Sequence, residues 1–244
     1  MELQGTPQRL YLFQLATTTI PLPNGSLSMS SGCYLVQTSA GQNILIDSGL
    51  PPDYVPPPNS PPSENQKNVL EHLTDLGLGP QDIHTVICTH FDIDHVGYHP
   101  AFPNAEFVVQ REHYDLARSG HQRFVAGRAY WDDPRLRYRV VDGDVELLPG
   151  LSLIKTPGHA PAHQSVLVQL PETGSVLLAI DAVVLQRLFT PERTPWPTDD
   201  NADDLRASTQ KLLDLVERER VALTVFGHDG EQWRTLRKAP DFYT

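Results

Sequence analysis

Cysteine is nearly absent from this sequence: Cys33 and Cys88 are the only two in 244 residues. A structural zinc site made of four cysteines is therefore impossible, and so is a framework of several disulfides. Each cysteine sits in its own apolar stretch, so both read as reduced thiols in a core. Long apolar runs are missing too. None approaches the ~20 residues that a membrane-spanning helix needs. The start, MELQGTPQRLYLF, has no basic segment followed by an apolar block, so no secretory leader is expected and a cytoplasmic location is. Lysine and arginine form no cluster, and the formal net charge is −11. A surface that neutralises phosphates needs a basic face. Neither nucleic acid nor a membrane is therefore an expected partner, and a neutral or amphipathic small molecule fits better.

Proline is abundant instead. PPDYVPPPNSPP, residues 51–62, excludes both a helix and an inner strand. It reads as a surface loop beside a pocket. Apolar runs at 11–15, 33–37, 43–46, 85–88, 106–110, 145–148, 152–155, 165–169, 175–180 and 222–226 read as strands. Helical spacing runs over 64–76, 111–119 and 203–216, the last after an acidic start. Residues 121–134 mix aromatics with charges and read as a cap. Strands dominate, with helices placed between pairs of them. That order predicts an α+β fold, a four-layer αββα sandwich of two packed sheets with helices outside, as one domain over 1–244.

Histidine and aspartate recur just after the apolar runs. Asp47 follows ILI, His90 follows HTVICT, and His159 follows LSLIK through TPG. Asp181 follows SVLLAI, and His228 follows LTVFG. Core packing does not require polar groups at so many strand ends, and loops carried by a rigid sheet are where sites are built. The candidate metal ligands are His90, Asp92, Asp94, His95, His159, Asp181 and His228. They exceed the four ligands of a structural zinc site and suffice for two divalent ions with open positions. Asp181, with two carboxylate oxygens, is the natural bridge. His72 and His84 read as surface residues, and His113 and His121 fall near the cap.

THFDIDHVG (residues 89–97), TPGHAPAHQS, LLAIDA and VFGHDGEQW, in that order, resemble the metallo-β-lactamase superfamily. Within it they look most like the N-acyl homoserine lactone lactonases. LIDSG and GDVELLPGLSLIKTPGH match that group too, and the resemblance runs from about Leu35 to the C-terminus. It implies the αββα fold. It implies that His90 and His159 hold one metal, that Asp94, His95 and His228 hold another, and that Asp181 bridges. The implied cofactor is two divalent ions, zinc first. The implied reaction is quorum quenching: a metal-bridging hydroxide opens a lactone ring, with Asp94 as general acid. Asp47 and His163 would orient ligands from behind. Met29, Tyr130 and Trp131, with Leu27, would wall the acyl tail. A homodimer is an open expectation.

Two residues depart from the lactonase pattern. Val184 stands where a tyrosine assists the carbonyl oxygen or leaving group, and Tyr98 and Tyr130 are the substitutes to look for. Asp92 stands where the loop otherwise carries histidine, which leaves three readings open. Asp92 still ligates the first metal and moves preference toward manganese or iron. Or it is too short to reach, and one metal remains. Or the site is degenerate and binds a ligand without turnover. Other ester or thioester hydrolases stay as alternatives. So does a diiron redox enzyme of the flavodiiron type, although the sequence after the last motif leaves no room for its flavodoxin-like domain.

Overall fold

The structure, a computed structural model, describes residues 3–244. A first sheet contains β1 (Pro7–Leu22), β2 (Gly25–Thr38), β3 (Asn43–Ile46), β4 (Ser63–Glu64), β5 (Thr85–Ile87), β6 (Glu106–Gln110) and β7 (Arg137–Val141). Their spatial order is β4-β1-β2-β3-β5-β6-β7. A second sheet contains β8 (Val145–Leu148), β9 (Leu151–Lys155), β10 (Gln164–Leu170), β11 (Gly174–Ile180) and β12 (Leu223–Phe226), in the order β12-β11-β10-β9-β8. The helices are α1 (Val69–Asp75), α2 (Ile93–Val96), α3 (Arg111–Arg118), α4 (Arg128–Trp131), α5 (Ala202–Arg218) and α6 (Gly230–Thr235).

Period-two alternation builds the layers. Leu10 and Leu12 of β1, Ile44 and Ile46 of β3, and Val166 and Val168 of β10 meet between the sheets. The intervening Tyr11, Phe13 and Leu45 face outward, where Val69 and Leu73 of α1 and Ala117 of α3 cover them. On the far side Leu167, Leu177 and Ala179 pack against Leu212 and Leu215 of α5. Both faces of the central strands are thus buried, and such strands read as continuous apolar runs. The αββα arrangement expected from the sequence is present.

The strand expectations at 43–46, 106–110 and 145–148 coincide with β3, β6 and β8. The helix expected over 64–76 is shorter. Asn68 caps it by accepting from the Leu70 and Glu71 amides, and Glu71 returns a bond to the Asn68 amide. That capping box fixes the start. Glu64 instead pairs with Thr17 in β4. His72 is not a surface residue: its ring stacks on Phe13 at 4.8 Å, and its Nε2 lies 2.9 Å from the Gln14 carbonyl oxygen. Cys33 and Cys88 are buried and unbridged, as expected. Residues 51–62 form a loop that is exposed beyond buried Pro51, apart from half-buried Pro61.

Candidate metal centre

Strand direction decides where the polar residues meet. β3 and β5 are parallel, as are β11 and β12. β9 and β11 both run antiparallel to β10, so they share a direction. Residues just past the carboxyl ends of these strands therefore collect at common ends of the two sheets, the usual place for a site in sheet proteins. Asp47 and Asp181 follow β3 and β11 directly, His228 follows β12 by two residues, His90 follows β5 by three, and His159 follows β9 by four.

Backbone constraint sharpens the placement. Ile180 has φ 52°, an unusual value for a β-branched residue, and it turns the chain so that Asp181 leaves the sheet into the site. A Cβ at Gly227 would lie 2.7 Å from Asp181 Oδ1, so only glycine allows that approach. Asp47, at φ 58°, sits in a similar turn after β3.

The donors form two groups, His90 with His159 and Asp181, and Asp94 with His95 and His228. Asp181 Oδ2 lies 3.3 Å from His159 Nε2, 3.6 Å from His95 Nε2 and 3.9 Å from His90 Nε2. Its Oδ1 lies 3.1 Å from His228 Nε2. A tetrahedral ion with metal–nitrogen bonds of 2.0–2.1 Å separates its ligands by about 3.3 Å. His90 Nε2, His95 Nε2 and Asp181 Oδ1 are buried with no hydrogen-bond partner. Buried polar atoms are rarely left so, and a cation among them accounts for all three. The donor set fits divalent metal.

Each ring is held from behind by its Nδ1. Asp47 Oδ2 lies 2.8 Å from that of His95, and Asp199 Oδ1 lies 2.9 Å from that of His159. The Thr89 hydroxyl lies 3.0 Å from His90 Nδ1 and itself donates to Asp47 at 2.6 Å. The Ser30 carbonyl oxygen lies 2.9 Å from His228 Nδ1. Such partners fix ring orientation and leave Nε2 to face the metal. Burial, followed by the nearby His95, pushes His90 down to about 3, so it stays a neutral donor. Asp181 is held well below the usual carboxylate range. Burial opposes this, and His228 and His95 outweigh it.

The remaining expected residues have partners of their own. Asp92 stands outside both donor groups. Its two oxygens bond to Arg123, with Nε at 2.8 Å from Oδ1 and Nη2 at 2.5 Å from Oδ2. A guanidinium fork satisfies a carboxylate better than one further contact does. Trp131 belongs to the core rather than to a substrate wall: it stacks on Phe91 at 5.1 Å and donates Nε1–H to the Phe124 carbonyl at 2.9 Å. Tyr130 gives its hydroxyl to Asp53, and its ring packs at the edge of the outer apolar cluster. Tyr98 packs into the outer apolar cluster. His163 is buried beside His90, with ring centroids 5.0 Å apart, and its Nδ1 lies 2.9 Å from the Thr156 hydroxyl. Half-buried Met29 bridges to Asp229, next to His228. Sequence reasoning missed Asp199, Thr89, Ser30 and Arg123.

Comparison with known proteins gives this geometry a lineage. The family model described as Metallo-beta-lactamase superfamily matches residues 29–228. The chain belongs to the metallo-β-lactamase superfamily. Among the relatives of this metallo-β-lactamase-fold chain is an N-acyl homoserine lactonase of Bacillus thuringiensis. It is 32% identical over 234 residues, covering 90% of this chain and 89% of its own length. The N-acyl homoserine lactonase AttM of Rhizobium radiobacter is 31% identical, covering 98% and 99%. A solved N-acyl homoserine lactone hydrolase, with N-hexanoyl-L-homoserine bound at its catalytic metal centre, superposes with a TM-score of 0.83. It has 28% identity and covers 98% of this chain and all of its own. The dizinc lactonase AidC, at 16% identity and a TM-score of 0.74, shares the fold. The resemblance read from the four motifs is borne out.

Proposed function

We propose that this chain is a metal-dependent hydrolase that opens the lactone ring of N-acyl homoserine lactones, acting as one domain over 1–244. One observation carries the reading. Two donor groups meet at Asp181 with unpartnered buried atoms, on a fold shared over nearly its full length with a hydrolase that holds its ring-opened product at its metal centre. Divalent ions held by these donors would polarise the ring carbonyl and lower the pKa of a bound water from 15.7 to about 7. The chain's own residues supply the rest. Asp47, Asp199, Thr89 and Ser30 hold the imidazoles in place. Asp181 spans the two groups. Asp94, with 35% of its side chain exposed, can pass a proton to the leaving alkoxide. Met29 is the acyl-wall candidate at the rim.

Zinc leads among the metals. The oxygen donor that argued for manganese or iron was Asp92, and Arg123 engages it. Two buried, unbridged cysteines support a reducing, cytoplasmic setting. A homodimer belongs to the proposal and is tested by light scattering. The decisive assay is a panel of lactones of graded acyl length on metal-depleted and zinc-reloaded protein. Turnover of lactones by the reloaded protein alone is the expected result. A second reading, another ester or thioester hydrolase, is favoured by Val184, which offers no hydroxyl where lactonases carry tyrosine. Turnover of esters or thioesters with no lactone opened would select it.

A further inference from the structure

Arg123 lies on a short turn of helix, Gln122–Phe124, in the cap segment. Three of its nitrogens are engaged. Nε and Nη2 grip Asp92, and Nη1 donates to the Thr198 carbonyl at 2.6 Å. Nη2 also lies 2.9 Å from His159 Nε2. That is the ring nitrogen left for a metal, because Asp199 holds Nδ1. A guanidinium has only donors and never ligates a cation. The Nε2 lone pair of His159 can serve an N–H or a metal at 2.0–2.1 Å, and not both. Asp92 meanwhile lies 3.5 Å from both His90 Nε2 and His159 Nε2, near enough to join the first donor group were its oxygens free. The second group differs: no lysine or arginine forms an ion pair or hydrogen bond with Asp94, His95 or His228 among the described residues.

We propose that the Arg123–Asp92 pair is a built-in competitor for the first metal position, so that the two positions are unequal. The Asp94–His95–His228 group with Asp181 fills first and holds its ion tightly. The His90–His159 group fills only when Arg123 swings off His159. The pair is mostly shielded from water, with side chains 16% and 19% exposed, so separating it costs more than separating a surface pair. The same guanidinium cancels the extra negative charge that Asp92 brings. The inference rests on the metal-centre reading above and assigns Arg123 a positioning role through His159 and Asp92.

The test is a zinc titration of the metal-free full chain, followed by calorimetry and by competition with a chromophoric chelator. Wild type should show a tight and a weak class of site. Arg123→Met, which keeps the apolar stem, should strengthen the weak class by about tenfold or more and leave the tight class within about threefold. Arg123→Gln should act in the same direction, and it carries the test if the methionine variant does not fold. A weak class that is unchanged or weakened in both variants overturns the proposal, as does a wild type with two equal sites. His228→Ala is the separate control, expected to abolish the tight class. If that class survives, the metal-centre reading itself fails, whatever Arg123 does.

Discussion

Single residues set how firmly the donors are aimed. His95 and His159 each rest on a carboxylate, His90 on a hydroxyl and His228 on a backbone carbonyl. The carboxylate partners also raise ligand basicity. Asp199→Ala should therefore weaken metal binding about 10–100-fold, measured by chelator competition, with little change in fold. Asp94→Asn should lower lactone turnover by about 10²–10⁴-fold, because the variant keeps the shape but cannot pass a proton. Near wild-type turnover with full metal content would remove Asp94 from the mechanism. Asp47 was legible because it directly follows a strand in LIDSG. Asp199 was not, since it reaches His159 from a loop 40 residues away and carries no periodic signal. Arg123 looked like any charge in a mixed segment. The letter at 92 announced a donor, but only three-dimensional proximity showed that Arg123 engages it.

At the scale of elements, alternation and capping explain what could be read and what could not. Strands buried on both faces stand out as apolar runs. β7, with the sequence RYRVV and an edge position, exposes arginines and has no such run. α6 is six residues long and is defined by its Asp229 cap rather than by periodicity. α3 also carries a packing device hidden from the sequence. His113 accepts from the Phe91 amide at 2.9 Å, and its Nδ1 lies 2.6 Å from the Pro161 carbonyl oxygen, which ties the helix to two site loops. Burial pushes His113 down to about 4. The folded chain thus resists a proton that the unfolded chain accepts below about 6.5. The contribution is fully present above that pH and falls as pH drops toward 4, by on the order of 2–3 kcal/mol. Urea unfolding of the metal-free protein at several pH values should show His113 adding to that slope beside buried His90 and His99, and His113→Gln should make it shallower.

For the whole molecule, the donors come from both sheets. Asp94 and His95 follow the first sheet's β5, while His159, Asp181 and His228 follow strands of the second. An ion bound among them therefore cross-links the two halves of the sandwich and binds only the folded state. At a free concentration 100 times the dissociation constant, this adds about 2.7 kcal/mol of stability. Chelation should then lower Tm by roughly 5–10 °C, read by differential scanning calorimetry, for a chain of this size. An unchanged Tm would separate the ion from the fold.

The clasp between Arg123 and Asp92 also ties two positions of the sequence together. Asp92→His alone leaves a guanidinium facing His159 with no carboxylate to hold it. Arg123→Met alone leaves Asp92 without its counter-charge. Each single step is costly and the double change is mild, so a double-mutant cycle should show a coupling of about 1 kcal/mol or more. Related sequences should then keep or exchange the two letters together, so that the residue at 123 reports which residue stands at 92.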